Sequence, residues 1–127
     1  MKICVTAEGN NLDSRVDPRF GRCRYFIIVE PKSGEFEAIQ NPHTDSMGGA
    51  GVQSGQFVAQ KEVKAVLTGN VGPNAFQTLQ AASVEVITGV SGSVKQAVEK
   101  YNNGELKSTQ GPSVGSKFGM PGKGKNR

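Results

Sequence analysis

Ala65-Val66-Leu67-Thr68-Gly69-Asn70-Val71-Gly72-Pro73-Asn74-Ala75-Phe76-Gln77-Thr78-Leu79 is the stretch that decides the fold. Its first four residues are short, apolar and β-branched, as a strand buried on both faces requires. Six turn formers follow. Gly69 and Gly72 permit backbone angles that other residues resist, Pro73 suits the first turn of a helix, and Asn70 and Asn74 are turn and cap residues. A helix is then expected, with Phe76, Leu79 and Ala82 on one face. Strand, glycine-rich turn and helix N-terminus together form the part of an α/β protein that commonly holds a ligand. Read by itself, the stretch serves equally well as a tight crossover that needs glycine for steric reasons.

Working outward, Val84–Thr88 reads as the next strand, closed by Gly89. Ser93–Asn102 reads as a helix with Ser93 as N-cap, Val94, Ala97, Val98 and Tyr101 on one face, and Gly104 as its stop. Upstream, Val52–Glu62 carries Val52, Phe57, Val58 and Ala59 in a loose helical pattern. The chain opens with strands at Lys2–Ala7, Tyr25–Val29 and Glu35–Gln40, the last two joined by a Pro31–Gly34 turn, which predicts an antiparallel unit. The order βββαβαβα predicts an α/β domain with a mixed five-stranded sheet, order 3-2-1-4-5, strand 2 antiparallel and helices on both faces. Strand order then reverses between strands 1 and 4. Three unusual loops, Glu8–Arg24, Asn41–Gly51 and Gly69–Asn74, are thereby expected on one rim, where a switch-point ligand belongs.

The chain has 127 residues, 15 basic and 11 acidic, for a formal net charge of +4. After Ser108 it carries Lys117, Lys123, Lys125 and Arg127 and no acid. Removing those four leaves eleven bases against eleven acids, so the body is formally neutral and the excess lies in the tail. The composition therefore predicts a single domain over residues 1–108 and a disordered, cationic, Gly/Lys-rich tail over 109–127. It does not predict a nucleic-acid footprint across the domain. No apolar run approaches the length of a membrane span, and the N-terminus enters a strand directly, so a cytoplasmic location is expected. Two cysteines, Cys4 and Cys23, are too few for a disulfide framework.

The densest chemical constellation is Asp17-Pro18-Arg19-Phe20-Gly21-Arg22-Cys23-Arg24-Tyr25-Phe26. Positive charge on both sides of Cys23 favours the thiolate, the form that ligates metal, and three arginines can bind an anion. The alternative is a solvated basic loop with one small buried cysteine. Cys4 lies mid-strand and reads as core packing. His43 is the single histidine, and Glu8, Asp13, Asp17 and Asp45 show no spacing that argues for acid–base work. Gly48-Gly49-Ala50-Gly51 before a helix resembles an anion cradle, but lacks the Gly-Lys-Ser/Thr of a P-loop. Two-metal phosphoryl chemistry needs carboxylates at the strand ends, and strand 4 ends in Thr68-Gly69-Asn70, which excludes a nuclease of that kind.

Four ordered segments carry a resemblance: Phe20–Phe26, Glu37–Pro42, Gly48–Gly51 and Leu67–Phe76. Together they make Met1 to Leu106 similar to the dinitrogenase iron–molybdenum cofactor biosynthesis family, and within it to the small stand-alone archaeal and bacterial members. The resemblance implies a ribonuclease H-like fold and a non-catalytic protein that binds an iron–sulfur or iron–molybdenum cluster, or its precursor, and exchanges it with a donor or acceptor protein. Carriers in the family have a histidine just before the Phe-Gly pair, where this chain has Arg19. The expected site joins Arg19, Phe20, Gly21, Arg22, Gly48, Gly49, Gly51, Gly69, Asn70 and Gly72 around an anion at the rim of strands 1 and 4, with Cys23 and His43 as metal ligands. Two other functions remain open on the sequence. One is a metal-free regulatory module for a small anionic metabolite. The other is an electrostatic binder of an acidic partner or nucleic acid through the tail, with nucleic acid disfavoured.

Overall fold

A computed structural model of the chain describes residues 1–42, 49–109 and 111. Five strands, β1 (Ile3–Ala7), β2 (Tyr25–Val29), β3 (Phe36–Gln40), β4 (Ala65–Leu67) and β5 (Glu85–Ile87), form one sheet of order β3-β2-β1-β4-β5. The β1–β2 and β2–β3 pairs are antiparallel, whereas β1–β4 and β4–β5 are parallel. The expected topology is thus the observed one, with the switch point between β1 and β4.

Side-chain alternation divides the core in two. Cys4, Phe26, Ile28, Val66 and Val86 point to one face, where α1 (Ala50–Gln60) and α2 (Pro73–Ala81) cover them. Ile3, Val5, Ile27, Leu67 and Ile87 point to the other, under α3 (Val94–Asn102). Both central strands are buried on both faces, which explains their continuous apolar reading. Ser93 caps α3 in a capping box: its hydroxyl accepts from the Gln96 amide, and Gln96 returns a bond to the Ser93 amide. Gly104, at φ 72°, takes the left-handed conformation that ends the helix.

Two helix readings need correction. The first helix begins at Ala50 rather than Val52, because the ladder already starts with the Gln53 amide bonding to the Gly49 carbonyl. Its buried stripe is Ala50, Ser54, Gly55 and Val58, not one led by Val52. Small residues face inward there because α1 packs closely on α2. A Cβ on Gly51 would lie 3.2 Å from the Ala75 methyl, and one on Gly55 would lie 3.0 Å from the Thr78 methyl. In α2, Ala82 is exposed at the C-cap, and Ala75 takes the expected inward place beside Phe76 and Leu79.

The 8–24 loop is stitched across the sheet rather than hanging from it. Val16 donates to the Gly92 carbonyl at 2.8 Å, Asp17 to Thr6 at 2.9 Å, and Asn70 to Pro18 at 2.8 Å. At the other end, Ser108 hydrogen-bonds Glu85, and the Thr109 amide bonds the Val86 carbonyl at 2.7 Å, so this segment lies along the outer edge of β5. The tail from residue 112, with Gln110, and the stretch 43–48 lie outside the described residues. The expectations for His43, Gly48 and the cationic tail fall there.

Gly69 is required for the seam between β4 and this loop. A Cβ at that position would stand 2.6 Å from Pro18 Cα, a backbone atom that cannot swing aside. Gly69→Ala is therefore expected to lower stability by about 1–3 kcal/mol, as overpacking does. Urea unfolding of the variant beside wild type measures it, and an unchanged midpoint would contradict this account of the seam.

Candidate anion site at the switch point

A cavity of about 450 Å³ opens at the rim between β1 and β4. Its walls come from three segments. Pro18–Arg22 forms one side, the first turn of α1 a second, and Asn70 with the first turn of α2 a third. These segments are fixed by contacts that the sequence does not advertise. Ser54 Oγ on α1 donates to the Gly21 carbonyl at 3.2 Å. The Asn41 amide, itself buried, donates to Gly21 O at 3.2 Å and to Cys23 O at 2.9 Å. Gly21 and Gly51 approach so closely that a Cβ on Gly21 would stand 3.0 Å from the Gly51 backbone.

The chemistry of the lining is electropositive. Glycines occupy both N-cap positions, Gly49 and Gly72, and bring no side-chain oxygen to the first-turn amides. The intrahelical ladders begin at Gln53 and Phe76, which leaves the amides of Ala50, Gly51 and Val52 in α1, and of Asn74 and Ala75 in α2, without intrahelical partners. Neither helix has an acidic residue in its first turn. Both first turns line the same cavity, so two helix dipoles present their positive ends to it. Arg19 and Arg22 add two guanidinium groups, and no carboxylate is among the described residues lining it.

Arg19 is oriented from behind by Asp17. The carboxylate, 1 % exposed, accepts from the Arg19 backbone amide at 3.0 Å, from Nε at 3.2 Å and from Nη2 at 3.3 Å. That hydrogen bond, followed by the charge attraction, raises the Arg19 pKa further above its usual range. Asp17 is in turn fixed to both central strands: its carbonyl accepts from Thr6 Oγ1 at 2.7 Å, and Thr6 Oγ1 accepts in turn from the Thr68 hydroxyl at 2.8 Å. The buried carboxylate carried no sequence signal as a positioning group, since nothing in the local pattern showed that it would be buried.

Residues 1–104 match the family described as dinitrogenase iron-molybdenum cofactor. An uncharacterized protein of Methanocaldococcus jannaschii is 31% identical over 109 residues, covering 84% of this chain and 89% of its own. The apo form of the orange protein from Desulfovibrio gigas superposes with a TM-score of 0.85 at 39% identity, over 88% of this chain and 95% of that one. A Thermotoga protein whose NMR structure is described as belonging to the DUF35 family gives 0.73 at 36% identity, over 84% and 91% of the two chains. The chain belongs to the dinitrogenase iron–molybdenum cofactor family.

Of the residues expected at a cofactor-family site, the fold brings Arg19, Phe20, Gly21, Arg22, Gly49, Gly51, Asn70 and Gly72 to the cavity. Phe20 contributes from below, since its ring is buried against Phe26 with centroids 5.9 Å apart. Gly69 stands behind the wall, against Pro18. Val52 and Ala75 line the cavity and lie outside the three loops expected on the rim. The signal that pointed to them was the position of each first helical turn.

Cys23 is a correction. It is fully buried in the α1/α2 core and does not line the cavity. Desolvation is the first cause that raises its thiol pKa, with the neighbouring Cys4 and Asp17 acting in the same direction and Arg19 opposing weakly. The flanking Arg22 and Arg24 are exposed and do not produce the thiolate that the sequence suggested. Cys4 is buried as expected, and burial raises its pKa too. Among the described residues no group of three His, Cys, Asp or Glu side chains converges as metal ligands. The described residues at the cavity offer hydrogen-bond donors and positive charge, which suit contact with an anion.

Both thiols stay protonated in the folded protein above their ordinary value of 9.0, whereas the unfolded chain releases those protons there. The unfolded state then binds fewer protons, so stability falls as pH rises past that value, by about 1.4 kcal/mol per pH unit per thiol. Urea titrations at pH 8 and 10 are expected to show this loss in wild type and about half of it in Cys23→Ala. A slope equal in the two proteins would place the Cys23 thiol in contact with solvent.

Proposed function

We propose that the protein is a non-catalytic carrier that takes a small anionic metal–sulfur species, an iron–sulfur or thiometallate cluster or precursor, as cargo in the switch-point cavity. The carrying observation is the convergence of two glycine-capped helix N-termini and two arginines on one cavity, with no carboxylate among the described residues lining it. Family membership supplies the chemical class of the cargo. Hydrogen bonds from charged donors contribute about 1.5–3 kcal/mol each, and a helix N-terminus about 0.3–1 kcal/mol. Arg19 and Arg22 therefore supply most of the affinity, while the amides fix the position of the cargo. Arg19 takes the place where the resemblance led one to expect a histidine, and it recognises charge instead of ligating metal. Cys23, buried and protonated, has no part in this reading. Among the described residues no nucleophile–base pair lines the cavity, and in this reading the chain holds its cargo and exchanges it with a donor or acceptor protein.

Anaerobic titration of the purified protein with tetrathiomolybdate, and separately with iron and sulfide, reads bound metal by absorbance and elemental analysis. Wild type is expected to bind stoichiometrically. Arg19→Ala and Arg22→Ala should each weaken binding about tenfold, raised salt should weaken it further, and Cys23→Ala should bind as wild type does. Loss of metal in Cys23→Ala alone would replace this reading with direct ligation. Absence of metal in every protein, with retained binding of phosphate or sulfate, would instead make the cavity a site for a metal-free anionic metabolite.

A further inference from the structure

A second cavity, of about 310 Å³, adjoins the first and is lined by Arg19, Arg22, Arg24, Tyr25, Gln40 and Asn41. It contains three of the chain's arginines, drawn from six consecutive residues, and no acid is among the described residues that line it. All three arginine side chains belong to exposed residues. The body of the protein is formally neutral, so this concentration of charge is local and not a by-product of overall basicity. Asn41 and the half-buried Tyr25 form its polar base, Asn41 being held by its bonds to the Gly21 and Cys23 carbonyls. Arg19 and Arg22 border both cavities, whereas Arg24 borders only this one.

We propose that this arginine face docks an acidic segment of the protein that delivers or receives the cargo, and that docking loosens the cargo because both draw on Arg19 and Arg22. Guanidinium groups pair with carboxylates in planar, two-pronged fashion, which suits a glutamate- or aspartate-bearing loop. Three cations in so small a recess match a short peptide better than a nucleic-acid strand, whose binding tracks many phosphates and uses stacked aromatics. Arg19 already spends its Nε edge on Asp17, so its remaining donors are shared between cargo and partner. Coupling of this kind is reciprocal: a docked carboxylate lowers cargo affinity, and bound cargo lowers affinity for the partner by the same factor. The coupling rests on the carrier reading above; the docking does not.

Hexaglutamate serves as the probe, titrated at low salt into the isotope-labelled full chain, metal-free, and followed by NMR. Amide shifts are expected to centre on Arg19–Tyr25, Gln40 and Asn41, and Arg24→Glu should weaken the interaction about tenfold. Shifts confined to Lys117–Arg127, indifference to Arg24→Glu, or tighter binding of hexathymidylate at the same face would each overturn the docking assignment. The same peptide is then added to protein loaded with tetrathiomolybdate. It should lower the affinity for thiomolybdate in wild type but not in the neutral variant Arg24→Gln, whose own thiomolybdate affinity is expected to match wild type. Equal peptide affinity of loaded and metal-free protein would overturn the coupling. Failure of thiomolybdate to bind at all would count against the carrier reading, while the docking map from metal-free protein is decided on its own.

Discussion

The rim of this protein depends on a seam where residues 17–20 lie across the ends of two parallel strands. Asp17 receives the Thr6 hydroxyl and donates its own amide back to the Thr6 carbonyl, while Pro18 and Phe20 exchange backbone bonds with Asn70. Two strands that end side by side leave carbonyls and amides with no further ladder partner, and the loop satisfies them. Because it does so with its backbone, its side chains are fixed in direction. Phe20 goes down into the core, and Arg19 goes out over the cavity with Asp17 behind it. The ordering of that loop, and with it the recess for an anion, follows from satisfying the strand ends.

Charge and burial compete at Cys23, and burial wins. Its two neighbouring arginines project into solvent, where water screens them, while the sulfur sits in an apolar core beside Phe20, Phe26 and Val66. In the irregular turn before β2 the backbone buries Cys23 and leaves Arg22 and Arg24 exposed, so adjacency in sequence was a poor guide to adjacency in space. The arginines answer to a different demand. Arg19 and Arg22 line the cavity, and Arg19 reaches the thiol only as a weak charge effect.

Much of the architecture was legible because β1, β2, β4 and α3 state their burial in apolar residues. Ile3-Cys4-Val5, Phe26–Val29 and Ala65–Leu67 could be little else than buried strands, and the turn signals around Gly69 and Gly89 separated them. Helix α1 was harder, because its inward face carries Ser54 and Gly55, residues chosen for size rather than hydrophobicity. The loop before β2 hid the burial of Phe20, Asp17 and Cys23 because an irregular segment has no period to read. At the site, the glycines and arginines announced an anion, whereas Asn41, Ser54 and Asp17, which hold the walls in place, look like ordinary polar residues until the fold buries them.

The tight packing of α1 on α2 has a consequence for which anions can enter. The backbone at Gly51 lies against Ala75 and that at Gly55 against Thr78, so closely that an added methyl group would have to push its neighbour back by a few tenths of an ångström. The two helix ends that face the cavity therefore cannot slide or part without breaking this contact along their length. Such an opening works as a gauge with fixed jaws. On the carrier reading it favours cargo whose width matches the spacing of the two helix ends, and leaves discrimination among such species to the distribution of charge on their surface.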